Sequence, residues 1–242
     1  MGELPAESAS GTVRPRRATC SLHVVYSVAP SGTLDEVEAR TVLLWLLVVD
    51  GLLIAADLLC RLQVLADVRF LVSQERGFGE LFMYAKAAAG VVMLTVLADR
   101  GASLALLLWA LVFLLVLADD ALALHERAGQ YLASFADLPS FGALRDNQVG
   151  ELAFFVWLGT CCAVLVGLAW HVGTPGDRRL SRVLLVCFGA LGFCATALDA
   201  MASSMRRSRY GDAFVVLEDG GEMLVMSVVV ATASAAFRRV VA

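Results

Sequence analysis

Runs of about 20 apolar residues, separated by short polar segments, dominate the chain from residue 42 onward, and each is long enough to cross a bilayer as an α-helix. Six runs are predicted, at roughly 42 to 60, 81 to 98, 102 to 124, 152 to 171, 183 to 203 and 213 to 236. The connections between them are short, which favours one helical bundle over two domains. The pattern therefore predicts an all-α, polytopic integral membrane protein whose six-helix domain occupies residues 41–242. Residues 1–40 are polar, with prolines and arginines, and are expected to form a mobile tail. Their one apolar piece, Leu22 to Val28, is marginal as the core of a signal peptide.

Polar residues inside the runs refine this picture. Asp50 lies near the middle of the first run and Asp57 near its end. An acid at bilayer mid-depth costs roughly 2.5 to 3.5 kcal/mol on insertion scales, so Asp50 is expected to face protein, hydrogen-bonded to a neighbouring helix. Lys86, about a turn inside the second run, is expected to snorkel to the interface. Ala87 to Gly90, and Gly189 with Gly192, are small-residue surfaces that let helices approach closely. Asp99 to Gly101 reads as a tight turn, residues 125–150 as the longest connection, and Gly173 to Arg182 as an arginine-bearing loop. Trp170-His171 occupies an aromatic-belt position, which makes His171 an interfacial residue.

The chain is 59% hydrophobic with a mean hydropathy of +0.76, and its net charge is only −4. Among its nineteen basic residues Lys86 is the sole lysine, and no basic patch interleaved with aromatics points to nucleic acid. The expected partners are the lipid bilayer and another membrane protein or a second copy of the chain. Cysteines at 20, 60, 161, 162, 187 and 194 include no Cys-x-x-Cys pair and fall mostly inside the runs. They read as small hydrophobes rather than as a disulfide framework or thiolate metal site. Gly-rich phosphate loops, a Gly-x-Ser-x-Gly elbow and a His-Glu-x-x-His helix are all absent.

Consecutive spans cross in opposite directions, so the ends of the odd runs and the starts of the even ones share a leaflet. Asp57, Glu75, Glu80, Tyr84, Asp119, Asp120, His125, Glu126, Glu151, Asp199, Glu218, Asp219 and Glu222 fall on that side, whereas the other side carries mainly arginines. Placing the N-terminus in the cytoplasm puts ten basic residues inside against eight outside, a small bias that assigns the acidic side to the exterior.

Helical geometry then aligns Asp119 with Glu126, and Glu218 with Glu222, with Gly220-Gly221 leaving room beside them. Six such acids with one histidine would repel one another if all were ionised, so some hold protons or a cation neutralises them. Carboxylates with one imidazole suit Fe, Mn, Zn, Mg or Ca, and the candidate ligands are Glu75, Asp119, Asp120, His125, Glu126, Glu218, Asp219 and Glu222. The Glu-x-x-His spacing of di-iron bundles is missing. Equally open is a plain interfacial reading, in which Glu218 and Asp219 sit in the first helical turn and complement its dipole.

Phe70 to Glu80, Asp119-Asp120 with His125-Glu126, and Glu218-Asp-x-x-Glu-Met223 together resemble a group of uncharacterised multi-helix bacterial membrane proteins. The resemblance covers roughly residues 42 to 237 and implies that the acids and His125 act as a set, without implying an activity. Three functions are open on these grounds. One is a metal-binding membrane protein, with the question of an enzyme acting on a lipid-phase substrate unresolved. The second is a proton or cation transport protein with a relay through Asp50 and Asp57. The third is a non-catalytic subunit or scaffold.

Overall fold

Long apolar stretches must satisfy their backbone groups internally, and the chain does so with helices throughout. The computed structural model describes residues 33–135, 146–205 and 210–241, among which no strand occurs. The helices are α1 (Thr33–Arg61), α2 (Phe78–Gly101), α3 (Leu104–Leu122), α4 (Leu124–Phe135), α5 (Asp146–Val172), α6 (Pro175–Ser204) and α7 (Gly211–Val241). A single 3-10 turn, Val68–Phe70, lies between α1 and α2. Among the described residues five segments are long and apolar enough to cross a membrane: Val37–Arg61, Phe78–Gly101, Leu104–Leu122, Val149–Val172 and Pro175–Ser204.

Several boundaries differ from the sequence expectation, each for a local reason. α1 begins at Thr33, so residues 33–40 are helical rather than tail; the rest of the tail lies outside the described residues. The turn after α2 comes at Ala102, in the left-handed conformation with φ 47°, and not at Asp99 to Gly101. Ser103 then caps α3 by accepting the Leu106 N–H. Ala123, with φ 46°, breaks the third run at Leu122, and the supposed connection after it contains α4. Residues 136–145 of that connection lie outside the described residues. α6 starts directly after α5 because Thr174 and Asp177 form a reciprocal capping box with Pro175 in the first turn. The expected Gly173 to Arg182 loop is therefore mostly helix.

α7 is the pillar of the bundle, packed against α1, α2 and α6, while α3 bridges α2 to α5 and α4 lies along α5. The core runs through Leu94, Leu97, Trp109, Val112, Phe113, Cys162, Leu184, Met226, Val229 and Ala233. Its one indole donates to Ser181 Oγ at 2.9 Å, which satisfies both groups in the apolar interior. The outer surfaces are also apolar: Trp45 is 66% exposed and Val186 72%, with Leu44, Leu52, Val156, Trp157 and Val164 exposed beside them. α1 even inverts the pattern of a soluble protein, because its two fully buried residues are Asp50 and Asp57. Within α6 the ladder widens to a π-turn over Cys194–Leu198, opposite Gly221 of α7.

Candidate functional site

The acidic end of the bundle is assembled from four chain segments. Asp57, with 0% exposure, accepts the Val72 N–H at 3.0 Å and Arg61 Nε at 2.8 Å; the same guanidinium reaches Asp212 at the start of α7. In the loop between α1 and α2, Asp67 accepts from the Arg69 backbone and guanidinium, and these hydrogen bonds hold its carboxyl below the usual range. Gly77 makes the turn into α2 where a Cβ would lie 2.8 Å from the Gln74 carbonyl oxygen, leaving no room for a side chain. Glu80 follows, accepting both the Arg76 N–H and the Tyr84 hydroxyl.

Beside Glu80 the acids of α3 and α7 come together. Asp120 is within electrostatic reach of Glu80, and Glu222 within reach of Asp120, Asp219, Glu218 and Asp199. Asp219 also feels Asp57 and Arg61 of α1, and its Oδ2 is buried with no hydrogen-bond partner. An unpartnered carboxylate oxygen in such a place is costly unless a proton or cation joins it. These acids sit two turns and more inside α7, which begins at Gly211, so Glu218 and Asp219 are not first-turn dipole partners.

His125 goes elsewhere. Its backbone N–H and its Nδ1 both face Asp119 Oδ1, at 2.9 and 3.3 Å, and its ring stacks on Phe155 of α5 with centroids 4.9 Å apart. Asp119 therefore caps α4 and docks it on α5. The imidazole, outside the spans, is raised above its ordinary pKa chiefly by the Asp119 hydrogen bond, with burial opposing. Its principal charged neighbours are Asp119, Glu126 and Glu151 rather than the acids of α7. Glu126 and Glu75 are exposed. The eight residues grouped in the sequence thus divide into an inner set (Asp120, Glu218, Asp219, Glu222), a docking pair (Asp119, His125) and two surface acids. Among the described residues no three His, Cys, Asp or Glu side chains are disposed to hold a metal ion together.

Below the acids lies a cluster that sequence reasoning missed. Lys86 does not snorkel: it is 3% exposed, and α2 starts eight residues earlier, about 12 Å away along the axis. Its Nζ donates to Asp50 Oδ1 at 2.6 Å, the Met223 carbonyl at 2.7 Å and Ser227 Oγ at 3.1 Å. Ser227 in turn donates to Asp50 Oδ2 at 2.5 Å, and the ammonium lies 4.6 Å from the Phe82 ring centroid. Every ammonium donor has a partner. The signal was present in the composition, since a lone lysine and a mid-span aspartate in lipid seek each other.

Past Ser227, towards the arginine-bearing end, the interior is filled by the buried apolar side chains of Leu94, Leu97, Val229 and Ala233. The buried ion pair is tied to the acidic end through the Met223 carbonyl, one residue after Glu222, and apolar side chains form a plug beyond it.

No curated protein and no solved structure matches the chain. A family model does, over residues 39–237, which takes in α1 from its second turn, the acids of α3 and α7 and the Lys86–Asp50 pair. The chain belongs to the family described as a domain of unknown function (DUF8692).

Proposed function

We propose that this is a six-span integral membrane protein that moves protons through a relay centred on Lys86 and Asp50. α7 is its sixth span and axis, the N-terminus is cytoplasmic, and the acidic vestibule opens to the exterior. The observation that carries the reading is the wholly buried Lys86–Asp50–Ser227 cluster in the middle of the apolar helices. Ionisable groups at that depth are costly and are kept for ion pathways or relays. Glu80, Asp120, Asp219 and Glu222 concentrate protons above it, and Glu222 directly precedes Met223, whose carbonyl holds the lysine. Protonation of Asp50 would release Lys86 from its counter-ion, and the apolar plug requires the helices to shift before a proton leaves towards the arginine side. Such gating makes the path a two-state gated route rather than an open channel.

The test is pH-gradient-driven flux in liposomes containing the purified protein. Flux above empty liposomes, abolished by Asp50→Asn and by Lys86→Met, is the expected result; no pH-dependent flux in the unmodified protein overturns the proposal. A second reading, a hydrated cation held by the charge of Asp219 and its neighbouring acids without a preformed three-ligand site, is favoured by the unpartnered Asp219 Oδ2. Fe, Mn, Zn, Mg and Ca remain the suited ions, with His125 no longer a ligand. Metal analysis of the purified protein and of Asp219→Asn decides it: a stoichiometric ion lost in the variant supports the reading, and none in the parent ends it.

A further inference from the structure

Towards the end of the bundle opposite the acids, α5 and α6 form a hairpin, and an apolar groove lies between the last turns of α5 and a stretch of α6 that begins ten residues after Pro175. It is lined by Ala163, Val166, Gly167 and Trp170 of α5 and by Leu185 and Phe188 of α6. The α5 residues recur at i, i+3, i+4 and i+7, so they form one stripe, and Ala163 and Gly167 make it shallow where a side chain would otherwise fill it. A Cβ added at Gly167 would meet nothing within 4 Å. The groove opens on the outer apolar surface, where Val164, Leu168 and Leu185 are exposed.

One end of the groove is cationic. On α6, Arg178, Arg182 and Leu185 lie within about 60° of one another, so two guanidinium groups head the apolar stripe. Arg178 Nε donates to the Trp170 carbonyl at 3.2 Å and the Arg182 guanidinium sits 5.9 Å from the Trp170 ring centroid. Both arginines are thereby held at the mouth with donors to spare, and Arg179 is exposed beside them. Asp177, the acid of this stretch, is occupied by the Thr174 backbone and hydroxyl in the capping box. Among the described residues none of the three arginines forms an ion pair.

We infer that the α5–α6 groove is a binding site for an anionic glycerophospholipid, with the phosphodiester on Arg178 and Arg182 and an acyl chain along Gly167 and Ala163. Guanidinium forks match phosphate oxygens, an apolar slot beside them matches the chain, and Trp170 marks the headgroup level. Placement of this end in the cytoplasmic leaflet, where anionic lipids concentrate, agrees with its arginines. The inference rests on the membrane placement and is independent of proton movement.

Native mass spectrometry of the full chain in detergent tests it, with phosphatidylglycerol and phosphatidylcholine of identical acyl chains as probes. The expected result is a preference of about tenfold for phosphatidylglycerol in the unmodified protein. Arg178→Gln with Arg182→Gln reduces the preference to about twofold or less, Arg238→Gln leaves it unchanged, and Gly167→Leu weakens retention of both lipids. Arg178→Lys with Arg182→Lys, which keeps the charge, retains part of the preference and guards against a folding artefact. Equal binding of the two lipids by the unmodified protein, or a preference that survives the double Gln variant, overturns the proposal.

Discussion

Lys86 carries the largest consequence of any single residue here. Three acceptors surround its ammonium, and removing it leaves Asp50 buried with Ser227 as its remaining partner. Breaking a buried pair from one side costs about 3–5 kcal/mol, whereas removing both charges costs far less. Lys86→Met is therefore expected to lower the melting temperature in detergent sharply, and Lys86→Met with Asp50→Leu to recover most of the loss. Strictly additive losses would refute coupling between them. His125 makes a smaller, pH-dependent contribution. Its pKa is raised in the folded state by Asp119, so its stabilisation is complete below the ordinary imidazole value of 6.5 and drains away as pH rises through the raised value. Stability measured from about pH 6 to 9 should fall by about 1 kcal/mol or less, because the ring is partly exposed. Asp119→Asn keeps an oxygen for the His125 N–H but removes the charge, and should flatten that slope. An unchanged slope in the variant would assign the effect to another group.

At the scale of elements, Gly221 of α7 packs closely on the π-turn of α6 and its neighbour Gly220 packs on α1. A Cβ at Gly221 would lie 2.9 Å from Cys194 Sγ, and one at Gly220 would lie 3.2 Å from Ile54 Cδ1. Gly221→Ala is thus expected to destabilise by about 1–3 kcal/mol despite alanine's better helix propensity. In a Cys194→Ala background the obstacle is gone, and the same substitution should become neutral or stabilise by up to about 1 kcal/mol. Thermal melts of the four proteins check this, and a Gly221→Ala penalty that persists without the thiol would locate the clash elsewhere. The element boundaries themselves followed capping chemistry. Apolar run length predicted the helices but could not foresee left-handed Ala102 and Ala123, since alanine carries no turn signature. Hence α4 was hidden inside an apparent loop, and with it the partner that takes His125 away from α7.

For the whole molecule, the proposed six-span arrangement puts the α1–α2 loop and the α2–α3 turn on opposite faces of the membrane. In a background with the native cysteines replaced, Gln63→Cys should react with a membrane-impermeant maleimide added to intact cells, and Ala102→Cys only after the cells are opened. The reverse pattern would invert the orientation, and labelling of both in intact cells would contradict the topology. Both positions are exposed, so accessibility is decided by the membrane and not by the fold.

Run lengths and composition alone determined the helical class and five of the apolar spans. These properties depend on the bilayer, which acts on each segment separately and requires no knowledge of its neighbours. Pairing depends on rotation about each helix axis, which apolar runs with apolar outer faces leave unspecified. Only the packing of α1 and α2 on α7 brought Asp50 to Lys86, and only the docking of α4 on α5 turned His125 to Asp119 and Phe155 rather than to the acids of α7, with Glu75 and Glu126 left at the surface. The acidic stretch 117–126 thus serves two structures, a helix dock and a vestibule wall, because adjacent residues on a helix point about 100° apart.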